Sequence, residues 1–411
     1  VTAPIRSHVF PNGLALVAQP MDWLQSAAFS FLVPAGCVYE PAARLGLASL
    51  ACEMTLRGAG PRDNRQFVLD LDNLGVVHHA AVSSTRTSYG GAMLAENLPA
   101  ALAIFADVLR RPHLPAEELE ACRQNSLQAL HAVEDEPSEK AMIELRRRYF
   151  PDPWGRSSLG EEEAVEAIGL EEIRGFFQRQ FQPRGTILGV AGRVAWEPLK
   201  DLVGELLGGW QPAEGAAIDE CPAPGGYLHV PYDSAQTYIG IAYTSVPYRH
   251  PDYFRAWGAV GALGGGMSSR LFTEVRERRG LCYSVYATYH TLRDRAGVFC
   301  FAGSGAQRAQ ETLDVTLGEL RRLAQGIEAS ELGRLKARIK TDLIMQQESS
   351  FSRSSSIARE WYHIDRARTL DELEQIVDGL TCEDINDYLA QNPPGPFTIV
   401  TVGPDELKVN V

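Results

Sequence analysis

Arg276 and Tyr283 lie seven positions apart in Ser268-Ser269-Arg270-Leu271-Phe272-Thr273-Glu274-Val275-Arg276-Glu277-Arg278-Arg279-Gly280-Leu281-Cys282-Tyr283-Ser284-Val285, and both carry donors suited to a polypeptide. A guanidinium offers a planar fork of N–H groups to a carboxylate or carbonyl, and a phenol offers one O–H. Ser268 or Ser269 can cap a helix with Leu271, Phe272 and Val275 on one face, and Glu274 in its early turns favours the dipole. Arg278 and Arg279 fit its last turn, Gly280 the left-handed residue that ends it, and Leu281 the start of an alternating strand. The pair therefore flanks a helix-to-strand corner. On spacing alone, the pair reads first as a solvated helix-end charge and a half-buried strand tyrosine.

The glycine-rich turn Leu263-Gly264-Gly265-Gly266, then SSRLF, then Arg276 with Tyr283 in RGLCYSV, resembles the C-terminal-half signature of the M16 metallopeptidases, the pitrilysin and mitochondrial processing peptidase family. The resemblance implies that Arg276 and Tyr283 reach toward a bound peptide beside a zinc ion. Active members carry a helix reading G-x-A-H-F-L-E-H-M-x-F-x-G, in which two histidines one turn apart grip zinc and the glutamate takes a proton from its water. The matching stretch here is Gly46-Leu47-Ala48-Ser49-Leu50-Ala51-Cys52-Glu53-Met54-Thr55-Leu56-Arg57-Gly58. Ser49 and Glu53 stand at the histidine positions and Cys52 at that of the glutamate. The third ligand position, matched through Arg123-Gln124-Asn125-Ser126-Leu127-Gln128-Ala129-Leu130, holds Ala129.

A methyl group cannot coordinate a metal. Cys52 and Glu53 are ligand types, but they are adjacent with Ser49 as sole helper, short of the three protein ligands a catalytic zinc needs. His131 points roughly 200° around the helix from Ala129. A nucleophilic Cys52 would need a histidine base that the sequence does not place. The resemblance also sets Gly75-Val76-Val77-His78-His79-Ala80-Ala81-Val82 against a substrate-pairing edge strand, G-G-x-x-N-A-x-T, with His79 at the asparagine position. His78 and His79 point to opposite faces of a strand and cannot chelate together.

The half that would hold metal is thus emptied while the other keeps its arginine and tyrosine. By resemblance to two-chain bacterial M16 enzymes, the chain is expected to be a non-catalytic, substrate-binding subunit: no metal of its own, and Arg276, Tyr283 and His79 as peptide contacts. An HxxEH-bearing partner would hold the zinc, the two chains forming a heterodimer around a chamber. The alternatives are a scaffold subunit resembling the core proteins of the respiratory bc1 complex, or a stand-alone peptide-binding protein.

The elements behind these residues repeat. Strands at Leu14–Ala18 and Ala27–Val33, a helix from about Ala42 to Leu56, a helix near Phe67–Leu74, strands at Val76–Ser83 and Thr87–Leu94, a helix at Asn97–Leu109 and a long helix from Pro115 to Ala132 make up the first half. The second follows with Tyr238–Tyr243, Tyr253–Leu263, Tyr283–Tyr289, Gly297–Phe301, Ala309–Leu323 and a long helix opening at Ser330. Each half closes on a strand, at Gly185–Gly192 and Phe397–Gly403. The expected organisation is a domain over 1–210, a Pro/Gly-rich acidic linker over 211–226 and a domain over 227–411. The fold class is α+β, each domain a largely antiparallel sheet with helices on one face, as the M16 resemblance also implies.

At 411 residues the chain can bury more than one core, and its formal charge of −13 argues against nucleic acid or an acidic membrane as a partner, since either needs a basic face. Seven cysteines without a CxxC pair read as buried thiols. No apolar run is long enough to span a bilayer, and the opening VTAPIRSHVF is not a leader, so the cytoplasm is expected, or the periplasm if a leader was removed.

Overall fold

The computed structural model describes residues 4–213, 215, 218–346 and 348–409. Its first sheet joins β1 (Arg6–Val9), β2 (Ala15–Pro20), β3 (Ser26–Val33), β4 (Val77–Val82), β5 (Thr87–Leu94) and β6 (Ile187–Gly192) in the order β1-β2-β6-β3-β5-β4. The second joins β7 (Tyr227–Pro231), β8 (Gln236–Thr244), β9 (Cys282–Thr291), β10 (Ala296–Gly305) and β11 (Thr398–Gly403) in the order β7-β11-β8-β10-β9. In both, one pair is parallel, β2 with β6 and β7 with β11, and the remaining pairs are antiparallel. Apart from β1, the two sheets superpose in order, so the repeat in sequence is a repeat in topology. The α+β architecture of largely antiparallel sheets layered with helices is what the chain adopts.

Composition explains the layering. The strands β6 and β11 are buried along their whole length and read as unbroken runs of small and apolar residues, as central strands covered on two faces do. On one face of the first sheet the helices Leu47–Thr55, Leu98–Arg110, Leu170–Gln180 and Trp196–Leu207 pack into the main core. On its other face lies the single helix Ser350–Ile364, with Ile357 and Ala358 against Ala15, Val17 and Ile187. In the second sheet Tyr253–Gly264, Ala309–Arg322, Ala329–Gln346 and Cys382–Gln391 fill one face, and Pro137–Tyr149 covers the other with Ala141 and Leu145 against Ala242, Phe299, Val400 and Val402.

Those two single helices are exchanged between the halves. One compact unit comprises residues up to 132, 156–220 and 344–370, and the other 133–155, 221–343 and 371 onward. Division at 1–210 and 227–411 keeps each sheet whole but assigns both covering helices to the other half. A sheet buried on one face only would leave an apolar face wet, and each sheet meets that need with a helix from the distant half. Within the expected linker, Glu214, Ala216 and Ala217 lie outside the described residues.

Some boundaries move for local reasons. The helix expected from Ala42 begins at Leu47, because the buried Glu40 carboxylate accepts from the amides of Gly46 and Ala48 and caps it there. The helix expected from Pro115 opens as a 3-10 turn, Ala116–Glu118, before Leu119–Glu134. Of the seven cysteines, Cys221 is exposed and Cys382 half-buried, so burial does not extend to these two. Among the described residues no helix is long and apolar enough to cross a membrane.

Candidate functional site

The corner that carries Arg276 and Tyr283 is built from the inside. Leu271 and Val275 are fully buried, and the segment Phe272–Glu277 winds as a π-helix, with the Arg278 amide donating to the Thr273 carbonyl at 2.9 Å. Serine capping is absent: Ser269 accepts the Thr273 amide through its carbonyl, while its buried hydroxyl has no partner among the described residues. Glu274, expected to serve the helix dipole, is instead a buried anion held by Arg278 at 2.5 Å and Arg279 at 2.8 Å, with Arg322 at 3.9 Å. The Arg279 hydrogen bond and the charges of Arg278 and Arg322 hold its carboxyl below the usual range against the opposing effect of burial.

Gly280 takes the left-handed conformation, φ 57°, which lets its amide return to the Arg276 carbonyl at 2.9 Å and turns the chain into β9. Arg308 donates to the carbonyls of Arg279 and Gly280 and clasps the turn from outside. At the start of β9, Cys282 pairs with Ser304 and Ser284 with Gly303, which leaves Tyr283 as the extra residue of a β-bulge. The bulge aims its ring outward. Tyr283 is 83% exposed, more than a half-buried strand residue would be. The Arg276 guanidinium lies 4.8 Å from the centroid of that ring and 4.8 Å from that of Phe272. Among the described residues Arg276 makes no ion pair, and its donors remain available beside the Tyr283 ring.

The Leu47–Thr55 helix presents a different picture. The Ser49 hydroxyl donates to the Ser158 carbonyl at 2.5 Å. Cys52 is buried, and burial pushes its thiol up to about 12 despite a hydrogen bond with Tyr89, so a nucleophilic thiolate is disfavoured. Glu53 accepts from Arg57 at 2.6 Å and from Asn125 at 2.7 Å. Ala129 is exposed on the Leu119–Glu134 helix, and His131 turns away to Glu162 at 3.1 Å. The set does not fit a catalytic zinc: of the three ligand positions Ala129 offers a methyl group, the Ser49 hydroxyl is turned to a backbone carbonyl and the Glu53 carboxylate is engaged by one cation and one amide, while the base position holds the buried Cys52 thiol. Among the described residues no three His, Cys, Asp or Glu side chains gather to hold a metal. Sequence carries no direct signal for the Glu53–Asn125 bond beyond the one-turn spacing that puts Asn125 on the same helix face as Ala129.

His79 lies on β4, the edge strand of the first sheet. Its ring packs over Gly90 and meets Phe351 edge-on at 4.9 Å, and burial lowers its pKa with help from His78. His78 turns to the other face, 6.3 Å from Phe105. The structure thus brings Ser49, Cys52, Glu53 and Asn125 to one helix pair, and it sets Arg276 against Tyr283.

The family model described as Insulinase (Peptidase family M16) matches residues 17–159, and that described as Peptidase M16 inactive domain matches residues 167–339. The chain belongs to the M16 peptidase family. Relatives include a protein of Rickettsia bellii named an uncharacterized zinc protease, 25% identical with 97% of each chain covered. Another, of the same description from Bacillus subtilis, is 24% identical, covering 97% of this M16 chain and 98% of its own. Among solved structures, the fold is shared with a peptidase M16 inactive domain from Pseudomonas fluorescens, at TM-score 0.89 and 20% identity, covering 99% of this chain and all of that one. A protease from Helicobacter pylori gives TM-score 0.88, also at 20% identity, with 97% and 99% covered. The segment bearing Arg276 and Tyr283 falls within the match to the family's inactive domain.

Proposed function

We propose that this M16 chain is the non-catalytic, substrate-binding subunit of a two-chain zinc peptidase, and that it lends Arg276 and Tyr283 to the cleft of an HxxEH-bearing partner. The observation that carries the reading is the Arg276 guanidinium, stacked on an exposed tyrosine with no ion pair among the described residues, in a chain whose Ser49 and Glu53 are otherwise engaged and whose third metal position is an alanine. In support, the same segment lies in a region similar to the family's inactive domain, and relatives named zinc proteases match the chain end to end.

In this role the chain's own residues bind and orient. Arg276 takes a peptide carbonyl or carboxylate through its fork of donors, and the Tyr283 ring holds the guanidinium in plane while its hydroxyl donates to the peptide. His79, on the free edge of β4, contacts a peptide laid along that strand. Zinc belongs to the partner. Positioning donors of this kind contribute about 2.7 to 4 kcal/mol, a hundredfold or more in rate.

Co-purification and reconstitution test the proposal. An HxxEH-bearing companion of similar size is expected to co-purify, and the mixture to cleave peptides at least about a hundredfold faster with the unaltered chain than with Arg276→Ala, Tyr283→Phe. Equal rates with the altered chain would remove the assignment, and respiratory-complex subunits as companions would favour the scaffold.

A further inference from the structure

The Arg276–Tyr283 corner opens onto β9, the last strand of its sheet, which pairs with β10 alone. Along the outer side of such a strand, alternate amides and carbonyls face away from the sheet and form a template for an added chain. Three aromatic rings lead to that edge. Tyr238 of β8, Phe301 of β10 and Tyr286 of β9 share one face on three adjacent strands, Tyr286 being the direct partner of Phe301. The Tyr286 and Phe301 centroids are 5.3 Å apart at an interplanar angle of 25°, and those of Phe301 and Tyr238 are 6.4 Å apart at 27°. Phe301, between them, is 6% exposed. Tyr286 is 36% exposed, and among the described residues its only ring partner is Phe301.

The ladder is therefore one ring short of the sheet's free side. Adjacent strands stand about 4.8 Å apart, close to the spacing of these rings, so a residue opposite Tyr286 on an added strand would set its side chain against the open flank. Just upstream, the bulge leaves Tyr283 and Ser284 together between the core-facing Cys282 and Val285, with Arg276 over Tyr283. A cation without an ion pair among the described residues thus lies at one end of the edge, and an unfinished aromatic stack lies along it.

We propose that the free edge of β9 accepts an extended peptide as an additional strand, that an aromatic residue of this peptide continues the Tyr238–Phe301–Tyr286 ladder, and that Arg276 holds a carbonyl or carboxylate of the same peptide. This rests on the reading of the chain as a substrate-binding subunit and adds a specificity to it: phenylalanine, tyrosine or tryptophan at the position facing Tyr286. The occupant is a polypeptide because an unpaired strand edge satisfies main-chain groups, and it is aromatic because Tyr286 offers a ring face rather than a hydrogen-bonding pocket.

The test is fluorescence anisotropy on the full chain with labelled Ser/Thr host peptides carrying one phenylalanine, against counterparts with alanine there. The phenylalanine peptide is expected to bind roughly three- to tenfold more tightly, the range of one ring pair. Tyr286→Ala is expected to bring the two peptides to equal affinity and Tyr286→Phe to keep the preference, since the ring rather than the hydroxyl makes the contact. N-methylation of the peptide is expected to weaken binding only at alternate amides, those facing β9. Equal affinities in the unaltered chain, or a preference that survives Tyr286→Ala, overturn the ladder, while loss of all binding in Arg276→Ala would still leave the subunit reading standing. Failure of every peptide to bind, with or without an HxxEH companion, overturns both.

Discussion

Asn125 Nδ2 donates to Glu53 Oε1 at 2.7 Å, joining the Leu47–Thr55 and Leu119–Glu134 helices at the level where the M16 resemblance sets two metal ligands. A hydrogen bond thus spans the two helices that a zinc ion would bridge. Arg57, one turn beyond Glu53, supplies the countercharge at 2.6 Å.

Glu53→Ala should therefore behave as a structural lesion. Removing the carboxylate takes the shared acceptor from the Asn125 amide and the Arg57 guanidinium, which keeps Glu118 at 3.9 Å, and a loss of about 1 kcal/mol is expected in urea unfolding for so partly exposed a group. Zinc or EDTA should leave the melting temperature of the unaltered chain where it is. A stoichiometric zinc that raises it would contradict this account of the helix pair.

Glu40 makes stability depend on pH. Burial raises its carboxyl to about 7, against the Ala48 and Gly46 amides and the charge of Arg156. A carboxyl whose folded pKa lies above its unfolded value near 4.5 binds more protons when folded, so stability falls as pH rises from about 4.5 to about 7 and is level beyond. The change is at most ~3 kcal/mol. Glu40→Gln imitates the protonated acid and should flatten the profile; an unchanged slope across that window in urea titrations at several pH values would count against it.

Tyr283 separates function from folding. With its ring exposed on the bulge, Tyr283→Ala should change unfolding free energy by no more than about 0.5 kcal/mol, while peptide cleavage by the reconstituted pair falls sharply. Large destabilisation in a thermal melt would show instead that the ring serves the corner's packing.

Gly90 and His79 are coupled. A Cβ at Gly90 would stand 2.1 Å from His79 Cε1, so Gly90→Ala must push the imidazole off its strand partner. A cost of about 1–3 kcal/mol is expected. Adding His79→Ala should recover most of it, a non-additivity that a double-mutant cycle reads directly. Additive losses would mean that the ring does not bear on the glycine.

The repeat, the order of elements and the two motif-bearing stretches were legible in the chain because they rest on local patterns. Alternation marked β4, β5, β9 and β10, glycine marked the corner at position 280, and helical spacing placed positions 125, 129 and 131 on their faces. Losses were equally visible, since alanine in place of a ligand is a fact of composition at one position. The helices Pro137–Tyr149 and Ser350–Ile364 were beyond such reading, because which sheet face a helix covers depends on contacts across hundreds of residues, not on its own periodicity. The same holds for the corner. Sequence alone supplied an arginine and a tyrosine near a helix end, whereas the π-turn, the buried Glu274 and the bulge that exposes Tyr283 beneath Arg276 arise only when strand register and side-chain packing are settled together. Register is a property of two strands at once, and an ion pair of two or three distant side chains, so neither can be read from one stretch of chain.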